Sequence, residues 1–460
     1  MSRCAGTRFA TALSLACLVV APSSATAQDL VINGGWLFDA VGDEVQRSGT
    51  IVIRGGAFAQ IGGDHDPAAP GDLGGFPVIT LGDDDYILPG IFDLHAHYNI
   101  RVAGLGRIDE TEHYSVIYLA NGVTSTFPAG EYNPQAMLEM RRRIDRAEQV
   151  GPRVYNSGPY FGQGMPRDAT AEDVIAQVDK WAALGARGFK AKRITPGQLR
   201  ALIDRAHLHG LTVTAHLDSG YRNTVNPKDA IAMGIDRIEH FLGGDLLGPT
   251  RSAYASLETL TDENLDSTEF REIVRLFIER GVVFDATLTA YGYFGQRDEV
   301  YDRWHDESKY FTPYVRRWAE ARTPPFLEQF DRIYRVKHKT LKRFYDAGGV
   351  ITLGTDHVSG GEYLAGFAAH RELHAMVRAG IRPADALKIA TINGARAMNV
   401  SDKLGTIEVG KFADLLIIKG NPLREIRNTR TVHTVVKAGV AYDTARLLES
   451  VQGTMGPDGE

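Results

Sequence analysis

Eight short apolar runs, separated by stretches of helical spacing, dominate the chain between residues 88 and 356. They are Leu88–His97, Gly122–Phe127, Arg153–Ser157, Gly188–Lys192, Leu211–His216, Ile235–His240, Val282–Thr287 and Val350–Asp356. Runs this short and this rich in Val, Ile, Leu and Phe read as buried strands. The stretches between them, such as Gln198–His209 leading into Gly210, carry helical spacing and often end in Gly. Eight strand–helix units over ~300 residues predict an α/β fold, a (β/α)8 TIM barrel. An open doubly wound sheet is the runner-up. It is disfavoured because no G-x-G-x-x-G follows the first run.

Short strands bounded by glycine turns flank this region on both sides. Leu30-Val31-Ile32 and Gly49–Gly56 precede it; Asp414–Ile418 and Thr434–Gly439 follow it. Neither piece supplies enough strands to bury a core alone. Residues 28–86 and 401–445 are therefore expected to form one small β-sandwich domain, with the barrel at 87–400 and a flexible tail at 446–460. Residues 1–27 stand apart. Arg3 and Arg8, the apolar run Phe9–Ala21 and the ending Ala25-Thr26-Ala27 have the pattern of a secretory signal peptide cleaved before Gln28. The expectation is an exported protein, periplasmic or extracellular. No membrane anchor is expected, since spanning takes ~20 apolar residues. Both cysteines of the chain, Cys4 and Cys17, fall in that segment, so disulfides and thiolate metal ligands are not expected in the mature protein. With a net charge of −6 and no basic stripe, nucleic acid is not an expected partner.

The sharpest chemical feature is Asp93-Leu94-His95-Ala96-His97, closing the first run. On a strand, residues two apart share a face, so His95 and His97 can present two imidazoles to one metal. His207-Leu208-His209 has the same spacing but sits in a helical stretch, where the side chains diverge by ~200°. His370 and His374 share a helix face, but His-Arg-Glu-Leu-His misplaces the glutamate of H-E-x-x-H, and an exterior position is expected. His216, His240 and Asp356 each close another barrel run, which places them with His95 and His97 at the face where barrel active sites sit. Lys190 and Lys192 share a face of the fourth run. A lysine there ordinarily caps a strand, because an ammonium cannot ligate a metal.

Taken together, His95-Ala96-His97, a lysine on the fourth run, His216, His240 and Gly354-Thr355-Asp356 resemble the metal site of the amidohydrolase superfamily, of the binuclear type. Leu88–His95 resembles its entry to the first strand. Ala390–Arg396 and Gly405–Leu415 resemble its C-terminal signature. The chain is most similar to imidazolonepropionase-like proteins and the prolidase-like dipeptidases related to them. Their Ile-Lys motif aligns with Phe189-Lys190, which selects Lys190 over Lys192. The resemblance implies two divalent metal ions, zinc first with manganese or iron open. A carboxylated Lys190 would bridge them, with His95, His97 and Asp356 on one ion and His216 and His240 on the other. It further implies attack by a metal-bridging hydroxide, with Asp356 as general base and then general acid, on a small-molecule amide, dipeptide or lactam-like substrate.

Several readings stay open at this level. Tyr221 and Arg222, just past His216, are candidates to bind a substrate carboxylate, against a plain solvated loop. His357, beside Asp356, is a candidate substrate contact. The aromatics between Tyr291 and Trp318 either pack extra helices or form a lid. A mononuclear deaminase or cyclic-amide hydrolase on the same barrel is the enzymatic alternative, and a non-catalytic binding protein the non-enzymatic one. A homo-oligomer is compatible with the sequence, which shows no interface. Gly405–Lys411 mimics a P-loop, but Phe412 stands where Ser or Thr is needed.

Overall fold

Helix starts in this chain are written locally. Thr170 and Thr195 form reciprocal capping boxes with Asp173 and Gln198, and Asn133, Asn226 and Ser267 cap three further helices through their side chains. Each such cap contributes ~1 kcal/mol. Pro134, Pro196 and Pro227 open their helices, and left-handed Gly234 and Gly281 end the helices Pro227–Met233 and Thr268–Arg280. The helix Ala171–Ala183 buries Val174, Val178 and Trp181 at i, i+4 and i+7, the stripe expected of a helix lying on a sheet. The computed structural model describes residues 29–63, 75–102, 106–166, 168–217, 225–242, 265–295, 307–320, 328–357 and 364–459. The expected signal segment, Tyr221, Arg222 and Trp304 lie outside these residues.

The helices connect parallel strands. Tyr160–Gly162, Gly188–Lys192, Thr212–His216, Arg237–Glu239, Val283–Asp285 and Ile351–Thr352 neighbour one another in chain order in one sheet; Ile91–Ala96, Val123–Pro128 and Arg153–Val154 form a second. Backbone hydrogen bonds link the two sheets at both edges. On one side Leu94 N donates to Leu353 O (2.9 Å) and Asp356 N to His95 O (3.0 Å); on the other Arg187 N donates to Asn156 O (2.8 Å).

The two ends of the chain share a third sheet of seven strands. Its order is Val440–Asp443, Val432–Lys437, Leu415–Lys419, Val78–Pro89, Leu30–Leu37, Gln46–Arg54, Ala57–Gly63. Alternation gives it two buried faces. Ile87, Leu415, Ile417 and Val436 join Leu30, Ile32, Ile51 and Ile53 in the sheet's own cluster, whereas Tyr86, Leu88, Leu416, Ile418 and Val435 pack into the main core. The edge strand curls back over its own cluster, since Phe58 N donates to Lys411 O (2.9 Å) and Ala413 N to Gly56 O (2.9 Å). The strand Val78–Pro89 continues through Gly90 directly into Ile91–Ala96. A Cβ on Gly90 would sit 2.0 Å from Thr124 Oγ1, so the close approach admits only glycine.

The C-terminal segment differs from the expected free tail. Thr444–Ser450 is a helix, and Val451 and Met455 are buried. Met455 exchanges backbone hydrogen bonds with Tyr310 and Thr312, and Gly456 N donates to Glu110 Oε2 (2.9 Å). These partners are remote in sequence, which is why composition gave no sign of the docking.

Candidate metal centre

The strand Ile91–Ala96 delivers His95, and His97 follows it. Asp93, two residues earlier, accepts from the His95 amide (3.1 Å), the Thr355 amide (3.1 Å) and the Thr355 hydroxyl (2.7 Å). It ties the first parallel strand to the last, and burial pushes its carboxyl up to about 6. The Tyr118 hydroxyl accepts from the His97 amide (3.0 Å) and donates to the His97 carbonyl (3.1 Å). Asp356 lies between the two rings. Its Oδ1 is 2.9 Å from His97 Nε2 and 3.2 Å from His95 Nε2. Burial opposes its ionisation, but His95 and the hydrogen bonds from both rings hold its carboxyl well below the usual range.

Glu239 completes a second group, and nothing in the sequence marks it. Adjacent strand residues face opposite ways, so Glu239 and His240 should not converge. They do because His240 leaves the strand with a left-handed backbone (φ 67°). Asp356 (φ 43°) and Thr287 (φ 47°) have the same conformation, which costs roughly 1–3 kcal/mol per non-glycine residue and clusters at functional sites. Glu239 Oε1 accepts from Thr214 Oγ1 (2.9 Å), and Oε2 accepts from Lys190 Nζ. The same Oε2 is 3.4 Å from His95 Nδ1 and 3.6 Å from His240 Nε2. Burial depresses both imidazoles and the Lys190 amine well below their ordinary ranges.

Two potential metal-holding groups result among the described residues, His95–His97–Asp356 and His95–Glu239–His240, each with ligand atoms within 4.8 Å of one another. His95 belongs to both. Among the described residues, His95 Nδ1 and His240 Nε2 are buried without a hydrogen-bond partner, a costly state unless something else takes their lone pairs. The tautomer of His240 follows from its neighbours. Thr287 Oγ1 donates to Ala286 O (2.8 Å) and so accepts from His240 Nδ1 (2.7 Å), which leaves Nε2 bare and facing the cluster. His216 stands edge-on to His240, with ring centroids 4.4 Å apart. Behind His240, Asp285 O accepts its amide (2.8 Å), and Lys337 Nζ donates to its carbonyl from between the rings of Phe241 and Tyr291.

The structure thus brings together His95, His97, Lys190, His216, His240 and Asp356. Lys192 instead lies with its ammonium 5.9 Å from the Tyr160 ring. His357 is buried edge-on to Tyr293, with ring centroids 6.1 Å apart. His207 and His209 bond Asp236 and Asp179 in exposed pairs, as their helical setting implied. His370 is a correction to the expected exterior position: it is 2% exposed and bonds Thr429, because the turn Ile426–Arg430 covers its helix. Of the aromatics, Tyr291 and Phe294 pack on Phe330, and Tyr310 stacks on Phe367.

Comparison with known proteins places this geometry. Residues 86–441 match the model of the amidohydrolase family. Adenine deaminase 4 of Rhizobium meliloti (strain 1021) is 33% identical over 114 residues, 23% of this chain and 19% of that protein. An imidazolonepropionase of Deinococcus radiodurans is 32% identical over 101 residues, 22% of this chain and 25% of that protein. The matched segments therefore span a quarter or less of these two relatives. A Xaa-Pro dipeptidase structure with bound methionine superposes with a TM-score of 0.67 at 23% identity, covering 90% of this chain and all of that one. Molinate hydrolase superposes with a TM-score of 0.69 at 19% identity, covering 94% and 98%. These two likenesses are of fold. The family match extends over most of the chain and includes every residue of the cluster just described, and the chain belongs to the amidohydrolase family.

Proposed function

We propose that the protein is a metal-dependent hydrolase cleaving an amide or peptide-like carbon–nitrogen bond. Its two linked parallel sheets are read as one closed (β/α)8 barrel at residues 87–400, and the seven-stranded sheet as the small sandwich domain. Two divalent ions, zinc first, would be held by His95, His97, Asp356, His216 and His240 with Lys190 between them, supplying Lewis acidity and a more acidic water. The nitrogen and carboxylate donor set suits that choice. Asp356 is one-quarter exposed, whereas His95, His97 and His240 are almost fully buried. As the cluster's partly exposed carboxylate, it is the member proposed to take a proton from the attacking water and return it to the departing nitrogen. Lys190 is buried with a depressed pKa, and a neutral amine is the form that adds carbon dioxide, losing a proton to give an anionic carbamate.

The observation that carries this reading is the pair of bare, buried nitrogens on His95 and His240, flanked by carboxylates. Elemental analysis of the purified protein should find two metals per chain, and a panel of dipeptides, N-acyl amino acids and lactams should reveal hydrolysis. One metal per chain with release of ammonia would instead favour a deaminase, the reaction named for one relative. A His95→Ala protein with full activity would sink both readings.

The position of Glu239 supports a second reading of the bridge. Its own carboxylate can link the two groups, with Lys190 as its counter-ion. Reconstitution without bicarbonate separates the cases: lost metal uptake supports a carboxylated Lys190, and full uptake supports Glu239. Export is likewise proposed, from the pattern of residues 1–27. Mass spectrometry of the processed protein should then find Gln28 as its first residue.

A further inference from the structure

The opposite end of the barrel strands holds a second polar site. A cavity of about 430 Å³ is lined by Thr212, Thr214 and Arg237, which lie at or near the starts of their strands, whereas His216 and His240 lie at the ends. Alternation puts Thr212 and Thr214 on the same face as His216, and Arg237 on the same face as Glu239. The cavity and the metal cluster are therefore two ends of one interior.

Arg237 is 4% exposed. Its Nε donates to Thr214 Oγ1 (3.1 Å) and one terminal nitrogen to Leu94 O (3.2 Å), and its guanidinium lies 4.9 Å from the Phe127 ring centroid. All three partners are uncharged. Buried charges are ordinarily paired; the carboxyl groups of Asp285, Asp236 and Asp93 act on Arg237 only through space, and among the described residues none makes an ion pair with it. Arg280 and Arg396 line the same cavity from its exposed rim and make no ion pair among the described residues. The one acid lining it, Asp236, already accepts from the Val213 amide (2.7 Å) and pairs with His207 (3.0 Å). Ile231, Met233 and Val282 furnish apolar wall. Its volume is in the range of small-molecule sites.

We infer that this cavity binds a small organic acid, its carboxylate or phosphate held by Arg237, Arg280 and Arg396 and its apolar body against Ile231, Met233 and Val282. Planar guanidinium forks match such oxyanions bidentately. The three arginines are not among the proposed catalytic groups, and occupancy does not depend on the proposed hydrolytic reaction.

The test is calorimetric titration of the full-length, metal-loaded protein with benzoate, phenyl phosphate and inorganic phosphate at low salt. Benzoate or phenyl phosphate should bind with a Kd below about 1 mM. The double variant Arg280→Gln/Arg396→Gln should weaken that binding about tenfold or more while leaving metal content unchanged. Whichever of the two aromatic acids binds tighter identifies the anionic head. Binding that survives the double variant but vanishes on metal removal assigns the anion to the metal cluster and overturns the inference. Equal affinity for inorganic phosphate overturns the organic body, and absence of binding by all three probes overturns the site. None of these outcomes depends on turnover, so failure here and failure of the proposed hydrolase activity are separately visible.

Discussion

Thr287→Val isolates the hydrogen bond that fixes His240. The substitution keeps the branched shape, so the left-handed backbone at this position is not further burdened, but it removes the oxygen that accepts from His240 Nδ1 at 2.7 Å and donates to Ala286 O at 2.8 Å. Two buried groups lose their partner at once. An unsatisfied buried polar group costs about 1–3 kcal/mol, so urea unfolding of the metal-free protein should show a loss in that range. The imidazole would also be free to move its proton to Nε2, the atom facing Glu239 and Asp356. Loss of a hydrogen bond that orients a metal-holding histidine costs about 10–100-fold in affinity. Competition with a chromogenic chelator should show that loss for one of two ions, leaving the group around His97 and Asp356 close to its original affinity. Thr287→Ser keeps the hydroxyl and should restore most of both losses. If Thr287→Val binds both ions as the parent does, His240 is not oriented by Thr287 and the tautomer argument fails.

Two further outcomes follow from the packing and the buried acids. Gly90→Ala places a methyl 2.0 Å from Thr124 Oγ1, and overpacking of this kind costs about 1–3 kcal/mol; a lowered urea midpoint with unchanged slope is expected, and an unchanged midpoint would show that Thr124 gives way. Burial raises Glu131 to about 8 despite hydrogen bonds from Asn156 and the Ser157 amide. Between its ordinary carboxyl value and about 8, the folded state thus binds more proton than the unfolded one, so this group lowers stability as pH rises, by up to about 1.4 kcal/mol per pH unit. Glu131→Gln should gain on the parent progressively from pH 5 to pH 8. A constant difference across that range in denaturation curves would show that Glu131 titrates normally in the fold.

Much of the cluster was legible because metal-holding residues at strand ends leave a positional trace. His95, His97, His216, His240 and Asp356 all close apolar runs, and the helix caps between those runs are local. What escaped detection depended on backbone conformation or distant contacts. Glu239 was hidden by the rule that neighbours on a strand diverge, which His240 breaks by turning left-handed. Lys190 and Lys192 have equivalent spacing; only depth along the strand separates a buried amine facing Glu239 from one beside the Tyr160 ring. His370 reads as exterior until the turn carrying Thr429 is laid over it. Arg237 precedes Glu239 by two residues and carries no mark in the sequence, because burial between packed elements has no one-dimensional signature.

The uninterrupted passage from Val78–Pro89 through Gly90 into Ile91–Ala96 has a mechanical consequence. No slack separates the terminal sheet from the strand that delivers His95, and the bidentate pair between Arg153 and Asp414 (2.7 and 3.0 Å) fastens the same two bodies at another point. A hinge between them has nowhere to form. The terminal sheet behaves as a fixed anvil, so force or loosening at either chain end is transmitted to the imidazole rather than absorbed on the way. The two bodies should accordingly melt in a single transition, and cutting the chain at the boundary between them should release neither as a folded fragment.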